Sequence, residues 1–307
     1  MSSLVVHRHL PALALLIAIL TFPALLSAEG RIDCGSLRSR ILARNVRYCA
    51  MLPPNYQSVK GERYPALYFL HGLGENEQAL LESGGWGLIE DLFEQHQVKD
   101  FMVIAPDGAS SFFINSARDG ERYSDFFLSE FLPYIETHYQ VLRERRARAI
   151  TGLSMGGYGA LRFAFAYPAL FASVSAQSPA LITESPAEID REIHDRGPLA
   201  TLLGAVFGNP IDREHWRENN PFDLARRKPM QIKRQAIYLN CGSQDELGFA
   251  QSAVTLDRQL TAQGIAHEFH LYPGAHNAQY FLSHLEETIL FHAHAFQSAS
   301  ARSSPKE

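Results

Sequence analysis

The chain has 307 residues, 46% of them hydrophobic and 20% charged, a profile that excludes disorder, collagen-like repeats and low-complexity scaffolds. A formal net charge of −5 leaves no basic surplus to neutralise a phosphate backbone, so no nucleic-acid partner is expected. Three cysteines are too few for a disulfide scaffold, and a chain of this length buries roughly three quarters of its unfolded surface without one.

Residues 1–28 read as a secretory signal peptide. Arg8 precedes an uncharged apolar run over residues 10–26, and Leu26-Ser27-Ala28 ends in small residues before Glu29. The other reading is an uncleaved anchor, but Pro11, Thr21 and Pro23 interrupt the run and it falls short of a comfortable span. The mature chain is expected to be exported, to the periplasm or the medium, without stable membrane insertion. In such an oxidising compartment Cys34 and Cys49, which flank a predicted short hairpin, are a candidate disulfide that either forms or stays as two thiols. Cys241 is expected as a buried thiol.

Beyond the signal, short β-branched or aromatic runs alternate with longer helical patterns. That alternation predicts crossover connections and an α/β domain over residues 29–296, built on a mainly parallel sheet flanked by helices. Strands are predicted at residues 64–70, 101–105, 149–151, 171–176, 236–240 and 267–272. A helix over residues 124–139 carries Phe127, Phe131, Ile135 and Tyr139 on one face. The basic cluster Arg143, Arg145, Arg146 and Arg148 reads as a solvated edge. Residues 181–235 are polar and proline-punctuated and are expected to form a helical, cap-like insertion over one end of the sheet. Residues 297–307 are Ser/Ala-rich and are expected to form a flexible tail.

The chemistry centres on Gly152-Leu153-Ser154-Met155-Gly156, a G-x-S-x-G pattern between an apolar strand and a helix. A serine held at a sharp strand-to-helix turn needs neighbours with almost no side chain. It also sits at a helix N-terminus, where developing negative charge is favoured. A serine hydroxyl is a poor nucleophile at neutral pH, so it needs a general base, and the base needs a group to fix its tautomer. Downstream, the strand at 236–240 ends in Cys241-Gly242-Ser243-Gln244-Asp245, and the strand at 267–272 ends in Pro273-Gly274-Ala275-His276. The order Ser154, Asp245, His276 is the one expected of an α/β-hydrolase, with Glu246 as the fallback acid. For the oxyanion, the backbone N–H groups of Met155 and of Leu73, in the loop His71-Gly72-Leu73-Gly74, are the candidate donors. Taken singly, Asp245 reads equally as a turn former, His276 as a structural loop residue and the glycine-rich loop as a plain turn; their conjunction favours chemistry. No histidine pair has metal-ligand spacing, so neither metal nor cofactor is assigned.

At these residues the sequence resembles the putative esterase family of α/β-hydrolases, whose relatives include esterase-D-like, S-formylglutathione-hydrolase-like and mycolyltransferase-like enzymes. The resemblance rests on Leu52-Pro53-Pro54-Asn55-Tyr56, on Tyr68-Phe69-Leu70-His71-Gly72-Leu73-Gly74, on residues 152–161 and on Tyr272-Pro273-Gly274-Ala275-His276. It implies an α/β-hydrolase fold with Ser154 as nucleophile, Asp245 as acid and His276 as base. The family often has an aromatic residue soon after the histidine, whereas here Asn277-Ala278-Gln279 precedes Tyr280. The leading expectation is a serine esterase acting on small-molecule or carbohydrate esters through an acyl-enzyme. The alternatives are an acyltransferase using the same triad and a non-catalytic binding protein on this fold. Substrate-binding residues are not assigned; Trp86, Phe112, Phe113 and Trp216 are candidates for an acyl pocket or for core and lid packing.

Overall fold

The computed structural model describes residues 30–56, 61–118, 120–194 and 198–301; the expected signal, residues 1–28, lies outside them. Eight strands form one sheet: β1 Arg31–Arg38, β2 Asn45–Leu52, β3 Ala66–Leu70, β4 Met102–Pro106, β5 Arg148–Gly152, β6 Ser173–Gln177, β7 Ala236–Gly242 and β8 Glu268–Tyr272. Their spatial order is β1-β2-β4-β3-β5-β6-β7-β8. The pairs β1–β2 and β2–β4 are antiparallel and all others are parallel.

Parallel strands need crossovers, and helices supply them. Helices α1 Ala79–Glu82 and α2 Gly85–Glu94 join β3 to β4, and α3 Tyr123–Phe126 and α4 Leu132–His138 join β4 to β5. Helix α5 Met155–Ala166 joins β5 to β6. Among the described residues, five helices lie between β6 and β7: α6 Pro186–His194, α7 Pro198–Phe207, α8 Arg213–Asn219, α9 Pro221–Arg227 and α10 Pro229–Ile232. Helix α11 Phe249–Ala262 leads to β8, and α12 Ala278–Ser283 and α13 Leu285–Ala301 follow it. This is the α/β-hydrolase arrangement. Among the described residues no helix is long and apolar enough to cross a membrane.

Strand alternation divides the core in two. Ala66, Tyr68 and Leu70 of β3, with Met102 and Ile104 of β4, face the core beneath α3 to α5. Leu67 and Phe69, with Val103 and Ala105, face the core built with α2 and α13. Strands buried on both faces read as continuous apolar runs, which is why they are legible in the sequence.

Four features differ from the sequence reading. Cys34 and Cys49 do not flank the hairpin but stand directly opposite each other in β1 and β2, and their sulfurs are bonded. The helix expected over residues 124–139 contains a wide π turn, Phe127–Phe131. Apolar residues spaced by four drift about 40° per step on a regular helix, and the wide turn absorbs that drift, leaving Phe127, Phe131 and Ile135 all buried. Arg148 is not solvated: it opens the central strand β5, is buried, and its Nε donates to Glu136 Oε1 at 2.5 Å. Finally, α13 continues past Phe296 to Ala301, over Ala and Ser residues with no Gly or Pro to stop it.

Candidate active site

The three parallel strands β5, β7 and β8 each end at the same rim, and each delivers one residue. Ser154 lies in the turn between β5 and α5, with φ 53° and ψ −118°, a left-handed conformation rare for a non-glycine residue. Two contacts make glycine obligatory on both sides of it. A Cβ on Gly152 would come within 2.4 Å of the Gly156 backbone, and one on Gly156 within 1.9 Å of Leu70 O. The turn is clamped to the next strand: Ser154 N–H donates to Gln177 O and Ala180 N–H donates to Ser154 O, each at 2.9 Å.

The other two loops are joined to each other. Ser243 N–H donates to Tyr272 O at 2.7 Å and Gln244 N–H to Gly274 O at 2.9 Å. Gly242 permits this closeness, since a Cβ there would meet Gly274 O at 2.4 Å. The joined loops bring Asp245 against His276: His276 Nδ1 lies 2.8 Å from Asp245 Oδ2, and His276 Nε2 lies 2.9 Å from Ser154 Oγ. The rings of Phe249 and Phe281 meet the imidazole edge-on, at 5.4 and 5.1 Å between centroids.

The Asp245 side chain is fully buried. Burial opposes its ionisation, but the hydrogen bond and charge of His276 and the N–H groups of Leu247 and Phe249 outweigh it and hold the carboxyl below its ordinary value. Glu246, the fallback acid, is turned elsewhere: its Oε2 accepts the backbone N–H of His276 at 3.1 Å. Cys241 is a buried free thiol whose Sγ donates to Asp245 Oδ2 at 3.7 Å. Burial pushes it up to about 12, which leaves it an unreactive donor at neutral pH.

Ser154 and His276 open into a cavity of about 530 Å³. Leu73 and Met155, the residues nominated for their N–H groups, both line it. Its other walls are mainly apolar and include Phe112, Leu202, Leu247, Phe249 and Phe281, with Glu75 as the carboxylate among them. Of the four aromatic candidates only Phe112 is present. Phe113 packs on His71 at 5.4 Å, Trp86 is buried in the core with α2, and Trp216 is buried against Phe207 at 4.8 Å. The aromatic neighbour of the histidine is Phe281; Tyr280 is buried and its hydroxyl donates to Asn240 Oδ1 at 3.2 Å.

Two residues that the sequence reading passes over shape the loop carrying Leu73. Gly108 N–H donates to His71 Nε2 at 2.8 Å, so the ring proton sits on Nδ1, which donates to Gly72 O at 2.7 Å. Burial lowers the His71 pKa and keeps the ring neutral in this tautomer. In a trans peptide the C=O and the following N–H point in opposite directions. Anchoring Gly72 O to His71 therefore turns the Leu73 N–H to the other side. Glu75 Oε2 accepts the Gly72 N–H at 2.7 Å, which removes that group from the set of free donors.

Several known proteins similar to this chain are esterases. The sequence profile of the putative esterase family matches residues 39–292. An esterase of Mycobacterium tuberculosis is 27% identical over 249 residues, covering 74% of this chain and 51% of its own length. An acetyl esterase of Caldicellulosiruptor saccharolyticus is 26% identical over 215 residues, covering 68% of this chain and 79% of its own. Among solved structures, a ferulic acid esterase superposes with a TM-score of 0.73 at 25% identity, covering 87% of this chain and 99% of its own. The chain spans about half the length of the mycobacterial relative.

Proposed function

The chain belongs to the putative esterase family, and from that premise we propose that it is an exported serine esterase that cleaves carboxylic esters through an acyl-enzyme. The observation that carries the reading is the continuous contact from Ser154 Oγ to His276 Nε2, 2.9 Å, and from His276 Nδ1 to Asp245 Oδ2, 2.8 Å, opening on one cavity.

In this mechanism Ser154 Oγ attacks the ester carbonyl while His276 Nε2 takes its proton. Asp245, held ionised, keeps the ring proton on Nδ1 and stabilises the imidazolium that forms. The carbonyl oxygen becomes an oxyanion and receives the Met155 and Leu73 N–H groups, with the N-terminus of α5 behind it. His276 then gives its proton to the leaving alkoxide. Water repeats the sequence on the acyl-enzyme and frees Ser154.

The walls support an uncharged acyl group as substrate. Phe112, Leu202, Leu247 and Phe281 offer apolar contact, and Glu75 disfavours an anionic acyl chain. At about 530 Å³ the cavity is within the range that holds small ligands, aromatic acyl groups included. Export is supported by the signal-like N-terminus and by the Cys34–Cys49 bond, since disulfides persist in oxidising compartments.

The test is hydrolysis of short-chain and aromatic p-nitrophenyl esters. The wild-type chain is expected to release p-nitrophenol and to be labelled by a fluorophosphonate probe. Ser154→Ala is expected to lose both while keeping its circular dichroism spectrum. Activity retained in that variant would overturn the mechanism, and a wild-type chain inert to every ester and to the probe would overturn the assignment.

A further inference from the structure

Among the described residues, two nearly fully buried arginines have opposite electrostatic circumstances. Arg148, 8% exposed, pairs with Glu136. Arg162 of α5, 6% exposed, has no carboxylate partner among the described residues. Its Nε donates to Asn219 Oδ1 at 2.8 Å and its Nη1 to Ser124 Oγ at 2.6 Å, both neutral acceptors. The guanidinium also lies 5.3 and 5.4 Å from the ring centroids of Phe163 and Tyr167. Asp125, whose charge reaches Arg162, is already paired with Arg122. A buried cation without a counterion is costly.

Arg162 is part of the wall of a groove of about 640 Å³, formed by residues 115–118, Gly120 and Arg122, the C-terminal half of α5, and helices α8 and α9. Arg118, Arg122, Arg227 and Lys228 line the same groove, against one lining carboxylate among the described residues, Glu218. Arg118, Arg227 and Lys228 have no ion pair among the described residues. Partial burial, followed by repulsion from Arg227 and Arg162, lowers the Lys228 pKa. Arg122 is balanced by Asp125, but the remaining cations outnumber the lining carboxylate, and an excess of like charge around a concavity is stabilised in company with an anion. The lining residues of this groove are distinct from those of the cavity at Ser154.

We propose that this groove is a binding site for an oxyanion, with Arg162 as its buried anchor and Arg227 and Lys228 as its outer clamp. The shared ligand chemistry is a compact anionic oxygen group, borne either by a free inorganic anion or by a sugar-linked phosphate or carboxylate. Guanidinium groups suit such planar or tetrahedral oxygen sets because they offer paired donors.

Titration calorimetry on the full chain at fixed ionic strength tests the site. The probes are inorganic phosphate, glucose 6-phosphate and methyl glucuronide, with methyl glucoside as the neutral control. Saturable binding of at least one anion, absent for the neutral control, is expected. The variant Arg227→Gln/Lys228→Gln, which changes one exposed and one half-buried residue away from the Ser154 cavity, is expected to weaken that binding at least tenfold while p-nitrophenyl ester hydrolysis stays unchanged. Arg162→Met removes the anchor, and its fold is checked by circular dichroism. Binding by phosphate alone assigns a free anion, and binding by the glucuronide or the sugar phosphate alone assigns a sugar-borne group. No saturable binding by any anion, or equal affinity in the double variant, would overturn the proposal.

Discussion

The backbone N–H of Gly108 donates to His71 Nε2 across 2.8 Å, and through that bond the loop after β4 sets the peptide plane of the loop after β3. With Nε2 occupied as acceptor, the proton resides on Nδ1, which holds Gly72 O at 2.7 Å. The Leu73 N–H, on the opposite side of the same peptide, follows. His71 is a positioning residue in this account. His71→Leu is expected to lower kcat about a hundredfold, comparable to loss of one oxyanion donor, with KM little changed. His71→Asn, whose Nδ2 can take the place of Nδ1 as donor to Gly72 O, should recover part of the loss. Steady-state kinetics on the folded variants separates this from a merely structural role, which would not divide the effect between kcat and KM in that way.

Asp245 and Glu246 are adjacent in sequence but not equivalent in space. Asp245 meets the imidazole ring, whereas Glu246 accepts the backbone N–H of His276. Asp245→Asn presents a neutral amide to Nδ1 and no longer favours the productive tautomer, so kcat/KM is expected to drop by up to about ten-thousand-fold. Glu246→Gln keeps an acceptor for the N–H and should cost only a small fraction of that. Kinetics of both single variants and the double variant decides the matter: a larger loss for Glu246→Gln than for Asp245→Asn would reverse the roles.

The sequence is most informative where function depends on a local pattern. The strands β3, β4, β5 and β6 are continuous buried runs, and the turn at Ser154 needs glycine within two residues on either side, so both can be read directly. Asp245 and His276 follow strand ends and are legible for the same reason. What the sequence does not display is contact between distant segments. His71 meets Gly108, Arg162 meets Asn219 and Ser124, and Phe281 rather than Tyr280 flanks the imidazole. The antiparallel pair β1 and β2 shows in the sequence only as a hairpin around two cysteines. Arg148 groups with its charged neighbours there because nothing local reveals that Glu136 waits beside it.

Glycine positions differ sharply in what they tolerate. At Gly156 an added methyl would lie 1.9 Å from Leu70 O, backbone that cannot yield without shifting β3. Gly156→Ala is expected to cost more than about 4 kcal/mol and to fail to accumulate as folded protein. Gly87 in α2 faces open space, with nothing within 4 Å of the point where a Cβ would stand. Gly87→Ala should instead stabilise by about 0.5 to 1 kcal/mol, through helix propensity and reduced freedom of the unfolded chain. Denaturant unfolding of Gly87→Ala, and the soluble yield and circular dichroism of Gly156→Ala, test the pair.

His292 gives the fold a specific sensitivity to acid. It is wholly buried, Ser173 Oγ lies 2.8 Å from its Nδ1 and Ser175 Oγ 2.7 Å from its Nε2. Because Ser175 donates its hydroxyl proton to Thr151 Oγ1 at 2.6 Å, it accepts from Nε2–H, and Nδ1 accepts from Ser173. The ring is thus neutral with both nitrogens occupied, and burial holds its pKa down to about 3 in the folded state. The unfolded value is about 6.5, so the unfolded chain binds a proton over a range in which the folded chain does not. Stability from this residue is complete above about pH 6.5 and is lost progressively as pH falls toward the folded value, by about 3 kcal/mol at pH 4. His292→Gln removes the titration. Its unfolding free energy is expected to start below that of the wild type at pH 7, and the gap should narrow by about that amount at pH 4. Urea unfolding of both proteins across this range measures the gap, and a gap that stays constant with pH would mean that His292 already carries its proton in the folded state.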